Sequence, residues 1–231
     1  MLVTDQPLAT DARERIVQRL LGLGAVAVIR MQDGRDALRA IEAIHAGGVS
    51  AVEITMTMPN AIGVIEEAVR RLPTDVMVGV GSVLDPMTAR RAIAAGACYV
   101  VSPVFERDVV DEAHQQGVPA MPGAFTPTEI LRAHEAGADV VKVFPAEAFG
   151  PGFIKGVLAP MPFLRLMPTG GVTPDNAGDW IRAGAAAVGL GSALVDPKLV
   201  AAGDFDALTE RARRLCRNVA EARQASAGGS R

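Results

Sequence analysis

Short apolar runs alternate with amphipathic stretches along nearly the whole chain. The runs cover 26–30, 51–57, 76–83, 99–104, 118–123, 139–146, 164–169 and 186–192. They are rich in β-branched residues and bounded by turn formers, which predicts eight strands. Between them, stretches such as 35–46 and 86–95 carry apolar side chains at helical spacing. Gly47-Gly48, Gly96, Gly137 and Gly184 close several of these stretches. Glycine there accepts the left-handed backbone that caps a final helical turn. One more helix is expected over 11–22, before the first strand, and another over 204–221, after the eighth.

Eight strand–helix repeats predict an α/β fold, a closed parallel (β/α)8 TIM barrel with an extra N-terminal helix. An open doubly wound sheet is the alternative. Gly79-Val80-Gly81 offers it little support, because the third glycine of a dinucleotide fingerprint is missing. No linker interrupts the pattern, so a single domain is expected over 1–231, with its core over about 11–221 and frayed ends at 1–10 and from Gln224.

Composition sharpens this picture in three places. Hydrophobic residues make up 49% of the 231 positions but aromatics only 4%, so the core is aliphatic, as suits a parallel sheet buried on both faces. A net charge of −3 without any basic run gives no reason to expect a nucleic-acid partner. Asp5, Asp11 and Glu14 interrupt the N-terminus, and no apolar stretch is long enough to span a bilayer, so no membrane partner is expected. Cys98 and Cys216 lack metal-ligand spacing and suit a reducing, cytoplasmic compartment. The methionines read as core filler.

Charge inside the predicted strands is the main chemical signal. A buried charge is costly unless it is paired or used. Arg30, Glu53, Lys142 and Arg165 break the apolar pattern. Arg165 begins its strand, next to solvent, and reads as a surface residue. The other three fall near the C-terminal ends of strands 1, 2 and 6, the face on which such barrels build active sites. Lys142 lies between Val141 and Val143, which alternation turns the other way. Burial disfavours an ammonium, and a neutral amine attacks carbonyls to give a Schiff base. The chain holds only three lysines among 23 basic residues, so a purely structural cation here would be expected to be arginine. Glu53, across the barrel, could move protons, or it could simply form a buried ion pair with Lys142 or Arg30. Thr169-Gly170-Gly171-Val172 and Gly189-Leu190-Gly191-Ser192 follow strands 7 and 8, where backbone N–H groups and helix N-termini commonly hold phosphate. His45, His114 and His134 fall on predicted helices without clustered carboxylates, so no metal is expected.

Together these segments resemble the 2-keto-3-deoxy-6-phosphogluconate (KDPG) and 4-hydroxy-2-oxoglutarate (KHG) aldolases. The matching motifs run from Gly47-Gly48-Val49 and Val52-Glu53-Ile54-Thr55 through Val78–Val83 and Val101-Ser102-Pro103. They continue with Pro122-Gly123, Thr126–Glu129, Lys142–Glu147, Pro168–Val172 and Gly191–Leu194. The resemblance implies a class I aldolase without a cofactor, acting on a small 2-keto acid, with Lys142 as Schiff-base lysine and Glu53 as general acid/base. It also implies that Ser82, Phe144 and Thr169 contact substrate and that Gly170, Gly171, Gly191 and Ser192 bind phosphate. Some members carry an arginine where this chain has Thr57; others place one at the end of strand 1, so the carboxylate contact falls to Arg30. The resemblance further implies a homotrimer. Two other classes remain open: a phosphate-binding barrel isomerase or synthase, and a non-catalytic barrel.

Overall fold

The protein is described by a computed structural model covering residues 9–228; the expectations for 1–8 and 229–231 lie outside the described residues. Helix α1 (Ala9–Leu23) leads into strand β1 (Ala25–Ile29), α2 (Gly34–Ala46), β2 (Ala51–Thr55), α3 (Ala61–Arg71) and β3 (Met77–Gly81). There follow α4 (Pro86–Ala94), β4 (Val100–Val101), α5 (Arg107–Gln115), β5 (Ala120–Met121), β6 (Gly123–Ala124) and α6 (Pro127–Glu135). The chain then forms β7 (Val141–Val143), a 3-10 turn at Ala146–Ala148, α7 (Pro151–Leu158), β8 (Leu166–Pro168), α8 (Ala177–Arg182) and β9 (Val188–Leu190). A short α9 (Pro197–Ala201) and the long α10 (Phe205–Gly228) complete it.

All pairings are parallel, in a curled sheet recorded as two ladders: β5-β4-β3-β2-β1-β9 and β6-β7-β8. A continuous eight-stranded ladder, as the alternation predicts, is not what is seen. The fifth run is divided at Pro122, which has no N–H to donate to either neighbour. Six predicted runs, the second to fourth and the sixth to eighth, are also too long. Their final residues, such as Ser102-Pro103 and Ala146, belong to the loops above the strands. At the other end, α10 continues to Gly228, beyond the expected stop, and takes in residues read as frayed.

Alternation divides the core in two. Outward-facing strand residues such as Ile29, Ile54, Val80, Leu166 and Leu190 pack against the helices. Inward-facing Val26, Ala51, Met77, Tyr99, Met121, Val140, Met167 and Ala187 form a separate inner cluster. Val17 and Leu20 of α1 belong to that inner cluster, so α1 covers the N-terminal ends of the strands. Each of those two burials contributes about 1.5–3 kcal/mol. Arg223 of α10 donates to the carbonyls of Leu21, Gly22 and Ala186, satisfying backbone acceptors at that end.

Loops on the opposite side are fixed by caps. Asp85 accepts the Thr88 N–H and starts α4 beside Pro86. Thr126 and Glu129 form a reciprocal capping box on α6. The Phe125 and Thr126 N–H groups hold the Glu129 carboxyl below its usual range.

Candidate active site

Glu53 and Lys142 point inward from β2 and β7, each buried, with side-chain exposures of 1% and 7%. The Lys142 Nζ lies 3.6 Å from Glu53 Oε1, near enough for strong charge attraction and too far for a direct hydrogen bond. Glycine makes this room. A Cβ on Gly81 of β3 would collide with the Glu53 carboxylate, so this strand must lack a side chain there. Glu53 Oε2 is buried with no hydrogen-bond partner among the described residues. The Phe144 ring centroid is 5.3 Å from Lys142 Nζ, within range of a cation–π contact.

Above this pair opens a cavity of about 490 Å³, a size that suits a small ligand. Arg30, Ser82, Lys142, Phe144, Thr169, Gly170, Gly171, Gly191 and Ser192 all line it, so of the residues singled out in the sequence only Glu53 is absent from the lining. Glu53 lies against Lys142 instead. Arg30 is exposed and forms no ion pair among the described residues, leaving a free cation on the wall. Thr57 hydrogen-bonds Thr55 at 2.9 Å and does not line the cavity. Ser82 adopts a left-handed backbone, φ 59°, a strained state for a residue with a side chain and one that clusters at functional sites.

The far wall is built from backbone. Gly170 and Gly171 have φ of 96° and 71°, open to glycine and costly for other residues. The Asn176 side chain donates to the Gly171 carbonyl at 2.9 Å and accepts from the Thr173 N–H, holding this turn. Among the described residues no acceptor takes the N–H of Gly170, Gly171, Ser192 or Ala193. Free N–H groups from two successive loops make an anion cradle. The helices that follow these loops, α8 and α9, are short, with six and five residues.

Sequence reasoning missed several wall residues. Val28 faces inward by simple alternation and could have been found that way, whereas Pro103 follows β4 in a loop and was legible only as part of a motif. Glu147 was legible only as part of a motif. Its placement depends on the 3-10 turn, which folds its carboxylate against Gly170 and its Cβ against Gly171. Arg165, by contrast, pairs with Glu14 at 3.3 Å on the surface, away from the cavity. Among the described residues no three His, Cys, Asp or Glu side chains group as a metal site.

Residues 16–211 match the family profile described as KDPG and KHG aldolase. The chain belongs to this family. It is 36% identical over 195 residues to the 2-dehydro-3-deoxy-phosphogluconate aldolase of Treponema pallidum, covering 84% of this chain and 92% of that one. It is also 36% identical over 173 residues to the 2-dehydro-3-deoxy-6-phosphogalactonate aldolase of Escherichia coli K12, covering 74% and 84%. Among solved structures, a KDPG aldolase from Legionella pneumophila, captured with pyruvate as a covalent carbinolamine, superposes with TM-score 0.80 at 27% identity. That match covers 86% of this chain and 97% of the Legionella chain. The protein is therefore an aldolase, a lyase of carbon–carbon bonds, and its parallel α/β fold is that of the KDPG aldolases.

Proposed function

We propose that this aldolase cleaves KDPG reversibly to pyruvate and glyceraldehyde 3-phosphate through a Schiff base on Lys142. The observation that carries this reading is a buried amine 3.6 Å from a buried carboxylate, on the floor of a cavity with a free arginine and free backbone N–H groups on its walls. With its proton passed to Glu53, the Lys142 amine attacks the substrate C2 carbonyl; Glu53 returns that proton to the carbinolamine hydroxyl, and loss of water leaves a protonated imine and a Glu53 carboxylate. Glu53 accepts the C4 hydroxyl proton as the C3–C4 bond breaks, and the electron pair moves into the iminium to give an enamine. The aldehyde departs, the enamine takes a proton at C3, and water hydrolyses the imine to release pyruvate and the free lysine.

Arg30 pairs with the C1 carboxylate, Ser82 and Thr169 supply hydroxyls beside the keto-acid end, and Phe144 covers the imine. The phosphate sits on the N–H groups of Gly170, Gly171 and Ser192, with Gly191 keeping that approach open. Glu147 shares this wall. It holds no hydrogen bond or ion pair among the described residues, so its exposed side chain is free to turn away from the anion. The E. coli phosphogalactonate relative favours a second reading, since that substrate differs from KDPG only in configuration at C4.

Three further points belong to the same reading. The curled sheet closes as an eight-stranded barrel, supported by the β9–β1 pairing, the Thr169–Gly189 bridge and the contiguity of β5 and β6 around Pro122. The protein is a homotrimer whose contacts draw on exposed apolar side chains such as Leu84, Met87, Val104 and Phe163. It works in the cytoplasm, where Cys98 and Cys216 stay as free thiols.

The substrate assignment is tested by comparing KDPG, its galactonate epimer and KHG, which has no phosphate. Wild type should show the highest kcat/KM with KDPG. Ser192→Asp should lower that value far more than the value for KHG, because it sets a negative charge against the phosphate. Equal losses, or a wild-type preference for KHG, would remove the phosphate from the proposal.

A further inference from the structure

Four buried side-chain polar atoms lack partners among the described residues, and two of them, Glu53 Oε2 and the hydroxyl of Tyr99, flank β3. Such atoms are costly unless something satisfies them. These two approach each other across β3, beyond hydrogen-bonding distance but near enough for the Glu53 charge to act on the phenol. Gly79 is the register partner of Glu53, and the space that a Cβ on Gly79 would need is filled by the Tyr99 ring, closest at Cε2 and Cζ. Cζ carries the hydroxyl. Neighbouring strands are about 4.8 Å apart, so the hydroxyl end of Tyr99 stands next to the Glu53 side chain. Gly81, two residues on, leaves the space into which the Glu53 carboxylate leans. The two glycines of β3 thus give up their own volume to a phenol and a carboxylate on the same inner face.

Resting on the Schiff-base reading above, we propose that Tyr99 is a positioning residue, whose hydroxyl donates a hydrogen bond to Glu53 Oε2 while Oε1 faces Lys142. The two atoms are not hydrogen-bonded as they stand, so the bond forms by a side-chain rotation or through one bridging water. Burial first, then the neighbouring Cys98 and Glu53, push the Tyr99 phenol well above its usual range, so it remains a neutral donor. A carboxylate held at one oxygen keeps the other aimed at the lysine and at the proton it must move. The phenol itself has no path to substrate: it is fully buried in the inner cluster, below the cavity.

Tyr99→Phe keeps the ring and removes only the donor. We expect kcat to fall about tenfold with KM within about twofold, and borohydride trapping of pyruvate on Lys142 to persist. In a Glu53→Gln background, the same change should cost nothing further, because the pair acts as one unit. Wild-type kcat in Tyr99→Phe, or an equal additional loss in the Glu53→Gln background, overturns the inference. Failure of trapping in the wild type would instead overturn the Schiff-base reading. Tyr99 is the only tyrosine, so a second measurement covers poor folding of the variant. With 3-fluorotyrosine incorporated, the single fluorine resonance should move on Glu53→Gln and stay put on the surface change Lys198→Ala. An unmoved resonance with Glu53→Gln also overturns it.

Discussion

The two ends of the strands are built from the same alternating residues and treat polar groups in opposite ways. At the N-terminal end, α1 closes the sheet with Val17 and Leu20, and charge is paired off. Asp139 there accepts from the Ala120 N–H, contacts His114 at 2.9 Å and pairs with Arg13 at 3.2 Å. At the C-terminal end, among the described residues, Arg30 is unpaired, Thr169 Oγ1 and Glu53 Oε2 are unsatisfied, and N–H groups of two loops point at no protein acceptor. One end spends its polar groups on the fold and the other holds them for a ligand, which is the division expected of such folds. The lesson is that unsatisfied polarity, more than polarity itself, marks the working face.

Substitutions should respect that division. Lys142→Arg keeps charge and approximate length but no nucleophile; turnover should fall about 10⁴-fold or more while circular dichroism stays that of the wild type. Near wild-type rates would place the nucleophile elsewhere. Glu53→Gln should lower kcat by about 10²–10⁴-fold and still permit some imine trapping. A change confined to KM would make Glu53 a binding group. At the opposite end, Leu20→Ala should cost about 2–5 kcal/mol of stability in denaturant titration, with kcat per folded molecule unchanged. An altered kcat there would show that the two ends are coupled.

The smallest effect sharpens the comparison through pH. Burial pushes the Cys98 thiol up to about 11 from 9.0, so the fold favours the neutral thiol. The associated stability is intact below pH about 9 and is lost as pH rises towards 11, at most on the order of 2 kcal/mol. Cys98→Ala should therefore flatten part of the alkaline fall in Tm, with the buried Tyr99 leaving the rest. An unchanged alkaline slope would show that the thiol is not buried as described.

Much of the site was legible because its chemistry violates the strand pattern. A lone lysine among valines, and a glutamate in an apolar run, stand out wherever arginine does the ordinary work. Of the methionines read as core filler, Met77, Met121 and Met167 fill the inner cluster and Met58 the outer one, while Met87 is exposed. Strand ends were read less well, since apolar residues that cover the cavity look like residues that extend a strand. Pro122 dividing the fifth strand, the positive φ of Ser82, and Tyr99 occupying the space over Gly79 depend on register and close packing, which periodicity does not encode. Glu147 was equally hidden, because a three-residue turn decides where it points.

The central claim is that Lys142 forms an imine with the keto acid. Incubating the protein with pyruvate and borohydride, then mapping peptides by mass spectrometry, tests it most directly. One reduced pyruvate should be found on Lys142, with Lys155 and Lys198 unmodified and activity lost in step with labelling. No adduct, or an adduct spread over all three lysines with activity retained, would contradict the account.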